Sequence, residues 1–291
     1  MKYGIFALLF FPRFTKERLS VFEQARGLGY EGVEISLSED FLSMGITKDV
    51  AREAKRVGVD CLCSTSLDET TDIASEDKKI RENGIEFLKK CVVSAAELGS
   101  DVLGGVIYAP WGLYKREGRK QEEWEFCKES LAIIADFAKE HNVFLAIEPV
   151  NRFESYLLNT ACEAKKLIDE IGHPQIKIHL DTFQMNIEED RMYNAIKSAG
   201  DLLFHFHCCA SHRGIPGTGH VEWDEVFKGL KEVGYDRWLV VESFTPEIMK
   251  EEFGWQVAIW RKIAESEEIA KKGLEFLKHC YSNSFEGSET R

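Results

Sequence analysis

Eight times over, the chain alternates a short run rich in Val, Ile, Leu and Phe with a longer amphipathic stretch. The apolar runs are Lys2–Leu9, Gly32–Ser36, Val59–Ser64, Val102–Tyr108, Val143–Glu148, Ile176–Asp181, Leu202–His207 and Trp238–Glu242. Helical patterns fill the intervals near 16–29, 46–57, 76–99, 120–141, 160–171, 190–199, 224–233 and 256–280. VFLAIE, LLFHFH and WLVVE are apolar almost without a break. A sheet with one wet face would alternate; unbroken apolar strands belong to a parallel sheet covered on both faces. The segments LGYEGVEIS, VGVDCLC and VGYDRWLVV share one cadence: a helix, a Gly that stops it, a short polar turn and a strand. Eight such α/β units close most economically into a single (β/α)8 TIM barrel, with a doubly wound open sheet as the other arrangement.

Nothing in the composition divides the chain. Its 291 residues are 44% hydrophobic, and no linker rich in Pro, Gly or Ser interrupts them. One catalytic barrel domain is therefore expected over 1–281, with 282–291 (SNSFEGSETR) as a polar, disordered tail. The formal net charge of −13 makes nucleic acid and anionic membrane surfaces poor partners. No apolar run reaches the ~20 residues of a membrane span. The opening MKYGIFALLFFPRF carries one early Lys and no small-residue cleavage site, so it reads as a first strand rather than a leader. Eight cysteines form no CxxC pair and no zinc-finger spacing. Reduced thiols and a cytoplasmic location are expected for a chain of this size.

Barrels of this type carry their chemistry at the C-terminal strand ends. Glu148, Asp181, His207 and Glu242 end four consecutive strands. Three carboxylates brought together repel one another unless a cation sits among them. An oxygen-rich set with one nitrogen suits Mn²⁺, Mg²⁺ or Co²⁺ rather than a thiolate-type zinc site. Barrel strands often end in polar residues, so spacing alone leaves a metal-free set open.

Longer motifs surround these residues. They are Glu148-Pro-Val-Asn-Arg-Phe-Glu-Ser-Tyr-Leu-Leu-Asn-Thr160, Leu180-Asp-Thr-Phe-Gln-Met-Asn-Ile-Glu-Glu189, His205-Phe-His207, Arg213-Gly-Ile-Pro-Gly-Thr-Gly219 and Val241-Glu-Ser-Phe244. Together they resemble the ketose 3-epimerase family of the xylose-isomerase-like barrels, densely over 140–262 and more thinly elsewhere. The resemblance implies an isomerase with one divalent metal ion, Mn²⁺ first, held by Glu148, Asp181, His207 and Glu242. It implies that Glu148 and Glu242 also exchange the C3 proton of a ketose on opposite faces, through an enediolate. Glu154 and Arg213 match positions that hydrogen-bond the sugar's O1–O2 end; the plainer alternative is a surface ion pair. Trp111 stands where an aromatic covers a sugar face, or packs in the core or an interface. Phe6 and Leu8 are candidates for an apolar wall at the sugar's far end. The family also implies a homodimer or homotetramer, and Gly254–Arg261 (GWQVAIWR) is the candidate interface segment.

Two positions depart from the family pattern. Gln184 stands where the family has a substrate-binding His, and Cys208-Cys209-Ala210 replaces a small residue, Gly and Glu. The metal and proton-transfer residues are untouched, so the departures bear on which sugar is bound. An aldose–ketose or inosose-type isomerase or dehydratase on the same metal set is the alternative enzyme. A sugar-binding protein with an impaired site is the alternative from another class. His179 and His205 point to the same side as Asp181 and His207. They either orient the ligands or are satisfied interior histidines. Glu34 either bonds near the site or simply ends its strand. His212 and His220 either approach substrate or face solvent, and the acidic run Asn186–Asp190 is expected to cap a helix start.

Overall fold

The computed structural model describes residues 1–250 and 254–286. Eight parallel strands close on themselves: β1 (Lys2–Phe6), β2 (Gly32–Ser36), β3 (Asp60–Leu67), β4 (Val102–Pro110), β5 (Phe144–Ile147), β6 (Ile176–Asp181), β7 (Leu203–Cys208) and β8 (Trp238–Val241). Each pairs with the next, and β8 returns to β1 through Lys2 opposite Trp238 and Ile5 opposite Val241. The sheet is therefore a (β/α)8 barrel and not an open sheet.

Helices cover its outside: α1 (Val21–Leu28), α2 (Glu39–Ser43), α3 (Thr47–Val57), α4 (Lys78–Leu98), α5 (Gln121–Glu140), α6 (Ala161–Ile171), α7 (Thr182–Glu188), α8 (Met192–Ala199), α9 (Trp223–Glu232), α10 (Gly254–Val257) and α11 (Ser266–Tyr281). Gly29 after α1 and Gly58 after α3 have φ of 96° and 75°, the left-handed turn that releases the chain into the next strand. Among the described residues no helix is long and apolar enough to cross a membrane. All eight cysteines are free thiols.

The differences from the expected elements have local causes. After Phe6 the chain leaves the ladder and coils as a 3-10 turn, Ala7–Leu9, which stays buried. Two short helices, α2 and α7, lie in the βα loops. Their polar caps start them, with Ser38 Oγ accepting from Phe41 N at 3.2 Å and Asp181 Oδ1 from Phe183 N at 2.9 Å. At one to two turns they are too short to show apolar periodicity. The pattern at 256–280 divides into α10 and α11, with Ala258 at φ 54° between them. From the acidic run, Glu189 does reach a helix start, but that of α6, where Oε1 accepts from Ala161 N at 2.7 Å. The expected tail opens with one π-helical turn, Ser282–Glu286, in which the Phe285 ring stacks on Tyr281 at 4.8 Å. Its remainder, 287–291, and the interface-segment neighbours 251–253 lie outside the described residues.

One layer of core lies between strands and helices, and a second fills the lumen. Leu62, Val102, Trp238 and Val240 belong to the lumen cluster. Gly32 admits the Trp238 ring, since a Cβ there would stand 2.7 Å from it. At Gly104 a Cβ would come within 3.3 Å of His179 Nδ1, so the bare backbone makes room for imidazoles in the lumen. Toward the C-terminal rim the lumen therefore turns from apolar to polar.

Away from the rim, Asp72 in the β3–α4 connection is 7% exposed and accepts from Ala74 N at 2.8 Å. Burial pushes its carboxyl up to about 6, with the charge of Glu123 adding and Lys115 opposing. The folded pKa lies above the free value, so folding holds a proton that the unfolded chain releases. Stability from this group is complete below about pH 4 and is lost as pH rises through about 6. Asp72→Asn is expected to stabilise the fold by about 2 kcal/mol at pH 7.5 and by nothing at pH 4. Thermal melts at the two pH values check this; equal gains at both would contradict it.

Candidate active site

Four side chains converge at the rim from four consecutive strands. Asp181 ends β6 and His207 lies in β7, while Glu148 and Glu242 each follow directly on β5 and β8. Their exposures are 0% for Asp181, 2% for His207, 7% for Glu148 and 8% for Glu242. A cavity of about 550 Å³ opens over them, lined also by Phe6, Trp111, Glu154, Gln184 and Arg213. Of the four metal-ligand candidates, Asp181 is not on its wall.

Asp181 lies behind Arg213. This arginine, in the β7–α9 loop, adopts φ 61°, a left-handed conformation uncommon for a non-glycine residue. Its Nη1 donates to Asp181 Oδ2 at 3.0 Å and also to Glu242 Oε2. The guanidinium packs 4.0 Å from the centre of the Phe183 ring, and its Nη2 stands 3.9 Å from Glu154 Oε1. Arg213 and Glu154 are thus neighbours inside the site, not a surface ion pair. One Asp181 oxygen caps α7 and the other faces this positive charge.

The imidazole of His207 is oriented from below. Its Nε2 lies 3.0 Å from both oxygens of Glu34, a fully buried residue of β2. Its Nδ1 has no hydrogen-bond partner and points toward Glu242 Oε1 at 3.5 Å. A buried, unsatisfied ring nitrogen costs about 1–3 kcal/mol unless a ligand takes it. Three carboxylates and one imidazole nitrogen form a donor set that fits an oxygen-preferring divalent ion, while the Arg213 guanidinium supplies counter-charge to Asp181 and Glu242. Asp181 and Glu242 also bring the Cys209 thiol into their company, with ligand atoms within 4.8 Å of one another. That sulfur was not among the sequence candidates.

Electrostatics match this crowding. Burial, reinforced by the charges of Glu242 and Asp181, pushes Glu148 well above the usual carboxylate range. Burial also raises Asp181, to about 7, against the pull of Arg213. Burial opposes ionisation of Glu242 too, yet Arg213 and His207 hold it down to about 2. Without a cation beyond Arg213, burial and mutual repulsion favour the neutral forms of Glu148 and Asp181.

His205 meets the other reading offered for it only in part: Nε2 bonds Glu34 Oε2 at 2.7 Å, while Nδ1 has no partner. His179 is not a satisfied interior histidine. Neither ring nitrogen has a hydrogen bond, because bare Gly104 backs the ring and the Glu148 carboxylate stays 3.6 Å away.

Glu154 is the hub of the substrate end. It accepts from Trp111 Nε1 at 2.9 Å, Gln184 Nε2 at 2.9 Å and Asn151 Nδ2 at 2.8 Å. Asn151 was not singled out in sequence, although it lies inside the Glu148–Thr160 motif. Its backbone N–H also donates to Gln184 Oε1 at 2.9 Å and so fixes the amide. Phe6 lines the opposite wall, 6.1 Å from the His207 ring and edge-on to Phe244 at 5.9 Å. Ser36, Ser64 and Ser66 give the far wall hydroxyl groups. Ala210 is fully buried and brings no carboxylate. His212 and His220 do not line the cavity; they brace their own loop through Gly214 N and Ser211 Oγ.

With this geometry in view, comparison with known proteins is specific. A family model described as a xylose isomerase-like TIM barrel matches residues 22–280. An L-ribulose 3-epimerase of Mesorhizobium japonicum is 37% identical over 79% of this chain and 78% of its own length. A ketose 3-epimerase of Arthrobacter globiformis is 34% identical over 96% of both chains. A crystal structure of D-allulose 3-epimerase from Methylomonas sp. in complex with D-allulose superposes with a TM-score of 0.92, at 30% identity over 97% of each chain. The chain is an enzyme of the isomerase class that belongs to the xylose isomerase-like TIM barrel family and, within it, to the ketose 3-epimerases.

Proposed function

We propose that the protein epimerises a ketose at C3, using one divalent ion and the pair Glu148 and Glu242. One observation carries this: Glu148, Asp181, His207 and Glu242 are all buried at four consecutive strand ends beneath the cavity, with His207 Nδ1 unpartnered and 3.5 Å from Glu242 Oε1. An ion held by these four supplies the Lewis acidity that polarises the C2 carbonyl and acidifies C3–H. One glutamate then takes the C3 proton, the C–H electron pair becomes the C2=C3 bond, the carbonyl π pair moves onto O2, and an enediolate results. The other glutamate returns a proton to the opposite face, which inverts C3. Glu148 and Glu242 follow strands three apart around the rim, which suits flanking a substrate between them. Glu154, Arg213 and Gln184 bind the O1–O2 end, and Trp111 and Phe6 cover the carbon skeleton. The donor set suits Mn²⁺, Co²⁺ or Mg²⁺ alike, and the family resemblance puts Mn²⁺ first.

The relatives are named for L-ribulose, D-psicose and D-allulose. For this chain we place the preferred substrate among ketoses other than the common hexuloses, because Gln184 offers an amide and Ala210 no carboxylate. A neutral amide cannot titrate or carry charge toward a sugar oxygen. Gln184→His is expected to reorder kcat/KM across a ketose panel by up to roughly tenfold, the scale of one hydrogen bond. High native activity on fructose or tagatose, lowered by the His, would count against this preference. The reaction itself is tested by a ketose screen on chelated enzyme with metal add-back, products identified by NMR. C3 epimers that appear only with metal are expected; an aldose product would favour an aldose–ketose isomerase.

A further inference from the structure

We propose that Glu34 is a positioning residue, which holds the Nε2 side of His207 and thereby turns Nδ1 toward the metal point. The inference rests on the metal reading above and assigns a residue that reading does not use. Glu34 lies on β2 and His207 on β7, with β1 and β8 between them, so the carboxylate crosses the lumen to reach the ring. It is fully buried, and its partners are the two imidazoles: His205 Nε2 at 2.7 Å and His207 Nε2 at 3.0 Å.

A carboxylate taken fully out of water costs several kcal/mol, and breaking even against an apolar side chain needs excellent geometry. The neighbouring strand shows what packing alone would accept, because Leu62 is the register partner of Glu34 and fills the lumen there. A stabilising role therefore does not account for an acid at this position. An orienting role does. A His ring on its χ2 torsion has a broad, roughly two-fold preference and can present either edge. In the neutral ring that a metal ion requires, Glu34 accepting at Nε2 places the hydrogen there and leaves Nδ1 its lone pair. Nδ1 is the atom left unpartnered and aimed at Glu242.

The surrounding rings complete the cradle. His205 shares the carboxylate, and His179 stands edge-on to His207 and His205 with centroids 4.1 and 4.6 Å away. Phe6 closes the fourth side at 6.1 Å. Rotation of the His207 ring would have to displace one of these neighbours.

The test is metal binding, read independently of turnover. The full chain, stripped with a chelator, is titrated with Mn²⁺ by calorimetry and with Co²⁺ by visible absorption. Glu34→Gln is expected to weaken both ions by about 10- to 100-fold, the usual effect of losing the group that orients a ligating His. The Co²⁺ spectrum should change. In a His207→Ala background the same substitution should cost no further affinity. Glu34→Asp, which keeps the charge but withdraws it, should fall between wild type and Gln and serves if the Gln variant does not fold. Wild-type affinity in Glu34→Gln, or an equal loss with and without His207, overturns the assignment. A wild-type chain that binds neither ion overturns the metal reading itself, a different and distinguishable failure.

Discussion

Glu148→Gln and Glu242→Gln, each assayed at saturating metal, should lower kcat for C3 epimerisation by about 10³-fold, within the 10²–10⁴ that a positioned acid or base contributes. The amide keeps the shape and an oxygen able to face a cation, but it cannot accept the C3 proton. The two variants should also fail differently. If each glutamate serves one face of C3, the surviving carboxylate still removes the proton from one epimer and returns it to the same face. Each variant then exchanges C3–H of a different epimer with solvent D2O, without converting it. Loss of all exchange in both variants would show that the pair does not divide the two faces. The substitution of Glu148 carries a second expectation. Burial and the neighbouring carboxylates keep this acid well above its ordinary range, so the uncharged Gln should leave the metal-free fold no less stable while removing activity.

The second large effect concerns Arg213. Its guanidinium contacts Asp181 and Glu242 among the acids that a metal ion would otherwise neutralise. Removing one partner from a buried charge set costs about 3–5 kcal/mol, because the remaining charges are left uncompensated. Arg213→Met keeps the apolar stem against Phe183 and deletes the charge. It should destabilise the metal-free protein by about 3 kcal/mol. Added Mn²⁺ should recover most of that loss, since a divalent cation supplies the missing charge. Thermal melts with chelator and with metal read the difference. An equal loss in both would mean that the guanidinium acts by packing rather than as the counter-charge.

How much was visible in the sequence depended on how locally each feature is determined. Strands β2 and β6 have the boundaries expected from their apolar runs, because burial on both faces leaves a mark on every residue. The barrel followed from eightfold repetition, which tolerates misplaced ends. Helices α2 and α7 escaped notice because a Ser or Asp cap and a few residues suffice to start them. Of the site, Glu148, Asp181, His207 and Glu242 were legible as strand-end residues, and the cavity gathers Phe6, Trp111, Glu154, Gln184 and Arg213 with them.

Contacts across the lumen were not legible. Glu34 meets His205 and His207 from 171 and 173 residues away; its sequence position offered it as a group that bonds near the site or ends its strand, but did not name its partners. The same holds for Cys209 beside Asp181, whose company depends on the register of β7 against β6. Asn151 could have been found: it sits three residues from Glu154 in the strongest motif, with an amide suited to bridging two side chains. Likewise, the sequence showed that Arg213 belongs to the site, but not that its charge would turn toward the acids. That placement follows from three buried carboxylates needing a counter-charge, a property of the folded assembly.

The most direct measurement is proton NMR of a C3 epimer pair incubated in D2O with metal-loaded enzyme. The account predicts deuterium at C3 alone, in both epimers, with interconversion abolished by chelation and restored by Mn²⁺. Deuterium at C1 or C2 with formation of an aldose, or interconversion that leaves C3 fully protonated, would contradict proton transfer by Glu148 and Glu242 at that carbon.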